Sequence, residues 1–168
     1  MFARFKKFIA YLFGKSAELS DMGANDILLG KVVLDIHRTK AATEFIVVPL
    51  YALRQIHPIN RENSLQDTAR RVAALQEVKE RLQAEKNITR AVLAEYLPSV
   101  SWIKVVKAAD DAYIAFEGNG RLVAMQQVFA PEDGIMVEVE NYRFENPRKI
   151  LRRIERVRRL NGVAGEDY

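Results

Sequence analysis

The stretch Tyr113 to Val128, YIAFEGNGRLVAMQQV, constrains the architecture more than any other: a short strand pattern runs into Gly118-Asn119-Gly120-Arg121, and an apolar helical pattern begins at once. A strand that turns directly into a helix calls for a domain built from both elements, and two glycines at the turn let another group approach the backbone closely. The turn also gathers unpaired backbone N–H groups and one guanidinium in a small volume, an arrangement that suits an anion.

At 168 residues and 49% hydrophobic, the chain can fill one core, and 29% charged residues keep its surface polar. The absence of cysteine excludes disulfides, thiolate metal ligands and cysteine nucleophiles, and agrees with a reducing, cytoplasmic setting. Two histidines, His37 and His57, leave little material for a metal site or a histidine-based triad, so none is expected. No apolar run reaches the length of a bilayer span, and no small-x-small cleavage site follows FIAYLF.

The chain begins with MFARFKKFIAYLFGK, which places Phe2, Phe5, Phe8, Ile9, Leu12 and Phe13 at helical spacing among basic residues. This segment reads first as a terminal helix packed on the domain's own core, and second as a membrane-surface or partner-docking helix. Residues 16–30 read as a linker, giving an appendage over 1–30. From Lys31 the branched residues of KVVLDI predict a strand, and EFIVVPL predicts another. Between Pro49 and Pro58, YALRQIH has room for about two turns of helix or an irregular loop. Ser64 to Glu85 predicts one long helix capped by Asn63 or Ser64, and Thr89 to Tyr96 a second, making 64–97 a helical segment. Trp102 to Lys107 and Tyr113 to Phe116 predict strands across an acidic turn at Asp110 and Asp111. Ile135 to Asn141 alternates as a half-buried strand at or near a sheet edge. Asn146-Pro147 opens a C-terminal helix that Asn161-Gly162 stops, so 146–168 is a second helical appendage.

The strand, turn and helix together resemble the ParB/sulfiredoxin-like superfamily, whose signature is an apolar strand, an acidic residue or glycine, then G-x-x-R and a helix with a small residue three positions on. Ile114, Phe116, Glu117, Gly118, Asn119, Gly120, Arg121 and Ala124 occupy those positions, and IVVPLYALRQIHPIN looks like the family's Val-Pro-Leu strand leading to a polar box. The resemblance covers about Glu44 to Tyr142 and places the domain at 31–145. It implies an α+β fold in which a small mixed sheet is surrounded by helices, with the helical N- and C-terminal appendages outside it. It also implies that the turn holds nucleotide phosphates, as for CTP in ParB, ATP in sulfiredoxin and an adenine nucleotide in a free-serine kinase. The expected nucleotide-binding residues are then Glu117, Gly118, Asn119, Gly120 and Arg121, with Asn60 and Arg61 from a box that also holds His57 and Glu62 and leads to Asp67 and Arg70. ATP, ADP or CTP with Mg²⁺ are the ligands this implies.

The departures carry information too. The cysteine of the sulfiredoxin turn is missing, which excludes sulfinic acid reduction, and Gly120 stands where ParB carries a second arginine. Residues 146–168 are too short for the helix-turn-helix domain of a complete partitioning protein.

The C-terminal helix carries Arg148, Lys149, Arg152, Arg153, Arg156 and Arg159, a density suited to the phosphate backbone of DNA or to an acidic protein. The function expected is thus a nucleotide- or phosphate-binding regulatory module with an arginine-rich contact helix. One alternative is a small-molecule phosphotransferase with Glu62 as general base; another is a non-catalytic protein interaction domain. Each site also has a plain reading. Arg121 pairs with a carboxylate, Glu62 is an exposed acid at a helix start, and the arginine helix is a solvated face.

Overall fold

The structure, a computed structural model, describes residues 23–108 and 111–164. The basic aromatic segment at the N-terminus, the linker up to residue 22 and Asp110 of the acidic turn lie outside the described residues. Within them the chain is α+β, with six α-helices and one mixed six-stranded sheet.

Helix α1 (Ala24–Thr39) replaces the strand expected over KVVLDI and half of the expected linker. Its buried residues Leu29, Val32, Val33 and Ile36 follow the helical i, i+3, i+4, i+7 pattern, so the face they make overrides the strand preference of two valines and an isoleucine. The Asp26 carboxylate accepts the Gly23 N–H at 2.9 Å and helps to start the helix. Strand β1 (Ala42–Pro49) follows, and a single 3₁₀ turn (Leu50–Ala52) leads into β2 (Leu53–Gln55), where a short helix or loop was expected. The long helix after the box breaks at Val78 into α2 (Glu62–Glu77) and α3 (Lys79–Glu85). It begins after Arg61 without a side-chain cap, so neither Asn63 nor Ser64 caps it. Strand β3 (Asn87–Ile88), helix α4 (Arg90–Tyr96, capped by Thr89), β4 (Lys104–Lys107), β5 (Tyr113–Glu117) and α5 (Asn119–Val128) come next. Strand β6 (Met136–Arg143) and helix α6 (Pro147–Leu160) complete the order.

The strand order is β1-β6-β4-β5-β2, with β3 also beside β6. Strand β6 is therefore interior and second from the edge, near it rather than at it: β1 pairs along its whole length, while β3 and β4 share its other side. The glutamates that made it read as solvent-facing include Glu138, whose carboxylate accepts both the Arg90 backbone N–H (2.8 Å) and Arg90 Nε–H (3.0 Å).

Helices cover both faces of the sheet. Val105, Ala115, Val137 and Val139 pack with Leu75, Leu82, Leu93 and Leu122 on one side. Val106, Ile114, Phe116 and Tyr142 pack with Ile36, Ile150, Ile154 and Val157 of α1 and α6 on the other. Neighbouring residues of one strand thus serve opposite cores, which is why β5 is apolar throughout rather than alternating. Among the described residues, no helix is long and apolar enough to cross a membrane.

Candidate anion site at the start of α5

Strand β5 ends at Glu117, and Gly118 at φ 88°, ψ 19° reverses the chain into α5. That left-handed backbone favours glycine. Glycine at the cap position also brings no side-chain oxygen to the helix start, and no side chain caps α5. The first-turn N–H groups of Asn119, Gly120 and Arg121 therefore keep the positive end of the helix available. They open into a cleft of about 330 Å³ whose wall includes Phe116 to Arg121, His57, Ser64, Asp67, Arg71, Ser99 and Ser101.

Arg121 is only 3% exposed, and its Nη2 is a buried nitrogen without a hydrogen-bond partner among the described residues. Burial first, and the nearby Arg71 charge second, bring its pKa down to about 10, with Glu117 pulling the other way. It still carries its charge at neutral pH. Two guanidiniums thus converge on the cleft, and among the described residues neither forms an ion pair. The Thr68 hydroxyl oxygen is also buried and without a partner. It lies close to α5, 3.5 Å from where a Gly120 Cβ would sit. The cleft's two acids are turned to other cations. Asp67 meets Arg70 at 3.3 Å, and Glu117 meets His37 Nε2 and Lys104 Nζ, each at 2.9 Å. Burial would raise the Glu117 carboxyl, but the His37 and Lys104 contacts outweigh it and hold it below its ordinary value. Burial lowers the His57 pKa, and its Nδ1 lies 2.9 Å from the Pro58 carbonyl oxygen.

The turn residues Glu117, Gly118, Asn119, Gly120 and Arg121 come together as one wall of the cleft. Asn119 is itself engaged, since its Oδ1 accepts the buried Ile56 N–H at 3.1 Å and ties the end of β2 to α5. The polar box does not gather there as a unit. His57 lines the cleft, Asn60 and Glu62 are exposed outside its wall, and Arg61 meets Asp26 of α1 at 2.9 Å. Glu62 accepts a 3.4 Å bond from Gln66 one turn on. The expected Asp67 does line the cleft, joined by Ser64 and by Arg71, which was not expected there, while Thr68 is buried behind them. Ser64, Asp67, Thr68 and Arg71 recur at i, i+3, i+4, i+7, so α2 presents one polar stripe to α5, a pattern visible in the sequence. His37 and Lys104 had no local signal, because α1 and β4 bring them in from distant parts of the chain.

On α6, Arg153 pairs with Asp35 of α1. Arg158 is buried and donates from Nε to the Gln55 carbonyl at 3.0 Å. Arg148, Lys149, Arg152, Arg156 and Arg159 are exposed and form no ion pair among the described residues. At about 100° per residue they fall within an arc of roughly 100°, one continuous cationic stripe.

No family model matches the chain, and no curated protein or solved structure matches it either.

Proposed function

We propose that the protein is a phosphate-binding module of ParB/sulfiredoxin-like type whose ligand is a nucleotide held at Gly118 to Arg121. The observation that carries this reading is Arg121: a charged guanidinium, almost wholly buried in the wall of a cleft, whose Nη2 has no hydrogen-bond partner among the described residues. A buried cation without a counter-charge costs several kcal/mol, so a fold that retains one gains from an anion that completes it. The uncapped start of α5, the second guanidinium of Arg71 and the Ser64 hydroxyl supply the further donors that a phosphate's oxygens require. The mixed sheet, the Val-Pro-Leu strand and the strand-to-helix turn support the resemblance in architecture.

ATP, ADP and CTP are the ligands to which this reading points. Among the described residues there is no cluster of three or more acidic or histidine side chains arranged for a metal, so Mg²⁺ would enter on the nucleotide's own phosphates. Nothing in the placement of Glu62 favours it as a base, so a binding and regulatory role leads over phosphoryl transfer.

Thermal unfolding with ATP, ADP, CTP, GTP and inorganic pyrophosphate, each with and without Mg²⁺, tests the reading. A ligand at a hundred times its Kd stabilises the native state by about 2.7 kcal/mol, a rise of several degrees in a chain of this size. A flat response to every compound sinks the proposal.

The stripe on α6 favours a second contact, with a polyanion such as DNA or an acidic protein surface. Cations spread along about 17 Å of helix, with Glu155 at the margin of the stripe paired to Arg158, match a run of phosphates better than a single ion.

A further inference from the structure

The cleft holds an acid that ought to spoil it. Glu117 immediately precedes the turn, and Arg121 folds back over that turn so far that its Nη2 lies 3.1 Å from where a Gly118 Cβ would be. Both side chains border the same cleft. A carboxylate on the wall of the same cleft is drawn by its charge toward a buried guanidinium that has no ion-pair partner among the described residues. No such pair forms: the carboxylate is turned toward two other partners, Oε1 to His37 Nε2 and Oε2 to Lys104 Nζ, each at 2.9 Å.

These two partners are held from outside the turn. Lys104 stands directly across from Glu117 in the β4–β5 pairing. His37 projects from α1 against the mutually packed rings of Phe116 and Tyr142, which it meets edge-on at 5.7 and 5.4 Å. The Tyr142 hydroxyl lies 3.4 Å from His37 Nδ1. His37 Nε2–H donates to the Glu117 carboxylate.

We infer that His37 and Lys104 are positioning residues for the anion site: by occupying both oxygens of Glu117 they keep its carboxylate from closing onto Arg121. This rests on the reading of the cleft as an anion site and adds how its charge is kept available. An arriving phosphate then meets a bare guanidinium instead of having to displace an internal carboxylate.

The test uses inorganic pyrophosphate as the titrant and the full chain in four forms: wild type, Lys104→Met, Glu117→Gln and the double variant. Lys104→Met frees one oxygen of Glu117 and should weaken pyrophosphate about tenfold, the scale of one charge-assisted contact. Adding Glu117→Gln removes the internal competitor and should restore affinity to near that of wild type. Because Glu117→Gln also relieves the unpaired carboxylate that the lost lysine leaves, melting temperatures of all four forms are measured alongside, and a recovery of affinity counts only with the Arg121 signal below. The Nε–Hε NMR signal of Arg121 in ligand-free protein supplies an independent arm. It should sharpen through ion pairing in Lys104→Met and return to its wild-type behaviour in the double variant. His37→Phe should move both readouts in the same direction as Lys104→Met. Unchanged affinity and an unchanged Arg121 signal in Lys104→Met, or a double variant that fails to recover, overturns the inference. Absence of pyrophosphate binding to wild type counts instead against the anion site itself, and the NMR arm still decides whether Glu117 is being restrained.

Discussion

The Arg71 guanidinium occupies the space that the missing side chain of Gly120 leaves open: a Cβ on Gly120 would lie 2.6 Å from Arg71 Nη1. Gly120 lies inside α5 rather than at its left-handed cap, so alanine is compatible with its backbone. Gly120→Ala should gain part of the roughly 0.5–1 kcal/mol by which alanine exceeds glycine in a helix. The clash falls on the far end of a flexible side chain, which can swing away. Swinging Arg71 out of the cleft should nevertheless weaken the anion, so stability holds or rises while affinity falls. Urea unfolding together with phosphate titration checks both halves, and a variant with unaltered affinity would remove Arg71 from the site.

Arg121→Met tests the same trade at the deeper cation. The substitution keeps an apolar stem of similar bulk and deletes a buried charge that forms no ion pair among the described residues and whose Nη2 has no hydrogen-bond partner there. Ligand-free stability should rise by about 1 kcal/mol, because an unpaired buried charge is a net cost. The nucleotide-induced rise in melting temperature should vanish. Lower ligand-free stability would mean that the guanidinium has a structural partner.

The strand-to-helix turn was legible in the sequence because its signals are local: alternating and branched apolar residues, then glycines, then a helical face. So were α6, framed by Asn146-Pro147 and Asn161-Gly162, and the pair β4–β5. Helix α1 was misread because attention to Lys31–Ile36 alone met three branched residues, while the period that decides the matter includes Leu29. The site was half legible. Glu117 to Arg121 are contiguous, but Arg71 reaches them from the middle of another helix, His37 depends on how α1 packs on the sheet, and Lys104 on which strands pair. Local pattern cannot report such long-range neighbours, whereas the polar period Ser64, Asp67, Thr68, Arg71 was there to be read.

Asn119→Ala should be costly although it removes only a small polar group. Its Oδ1 is the acceptor for the Ile56 N–H, and Ile56 is fully buried. An orphaned buried amide costs about 1–3 kcal/mol, and the loss should appear as faster hydrogen exchange at Ile56 and a lower urea midpoint. Retained protection at Ile56 would show that another acceptor serves it.

Glu117 predicts an acid limb of stability. Its folded pKa lies below the ordinary 4.5, so in the window between the two values the unfolded chain binds more protons and stability rises with pH. The contribution is complete above the unfolded value and is lost as pH falls through the folded one. Urea midpoints followed from pH 6 down to pH 3, an interval chosen to bracket ordinary carboxyl titration, should fall less steeply in Glu117→Gln than in wild type. Parallel curves would mean that the His37 and Lys104 contacts do not favour the charged carboxylate.

The exposed stripe of α6 predicts a salt law. If Arg152 and Arg156 each neutralise one phosphate of a DNA duplex, each contributes about 0.9 to the slope of log affinity against log salt concentration. Arg152→Gln with Arg156→Gln should then lower the slope by about 2 and weaken binding alike on unrelated sequences, since phosphate contacts carry no base information. Both side chains lie outside the α1–α6 contact made by Arg153 with Asp35, so the melting temperature should not move. Arg153→Gln is the contrasting variant, expected to loosen α6 from α1 and to lower the melting temperature. A double variant with an unchanged slope would remove the stripe from any polyanion contact.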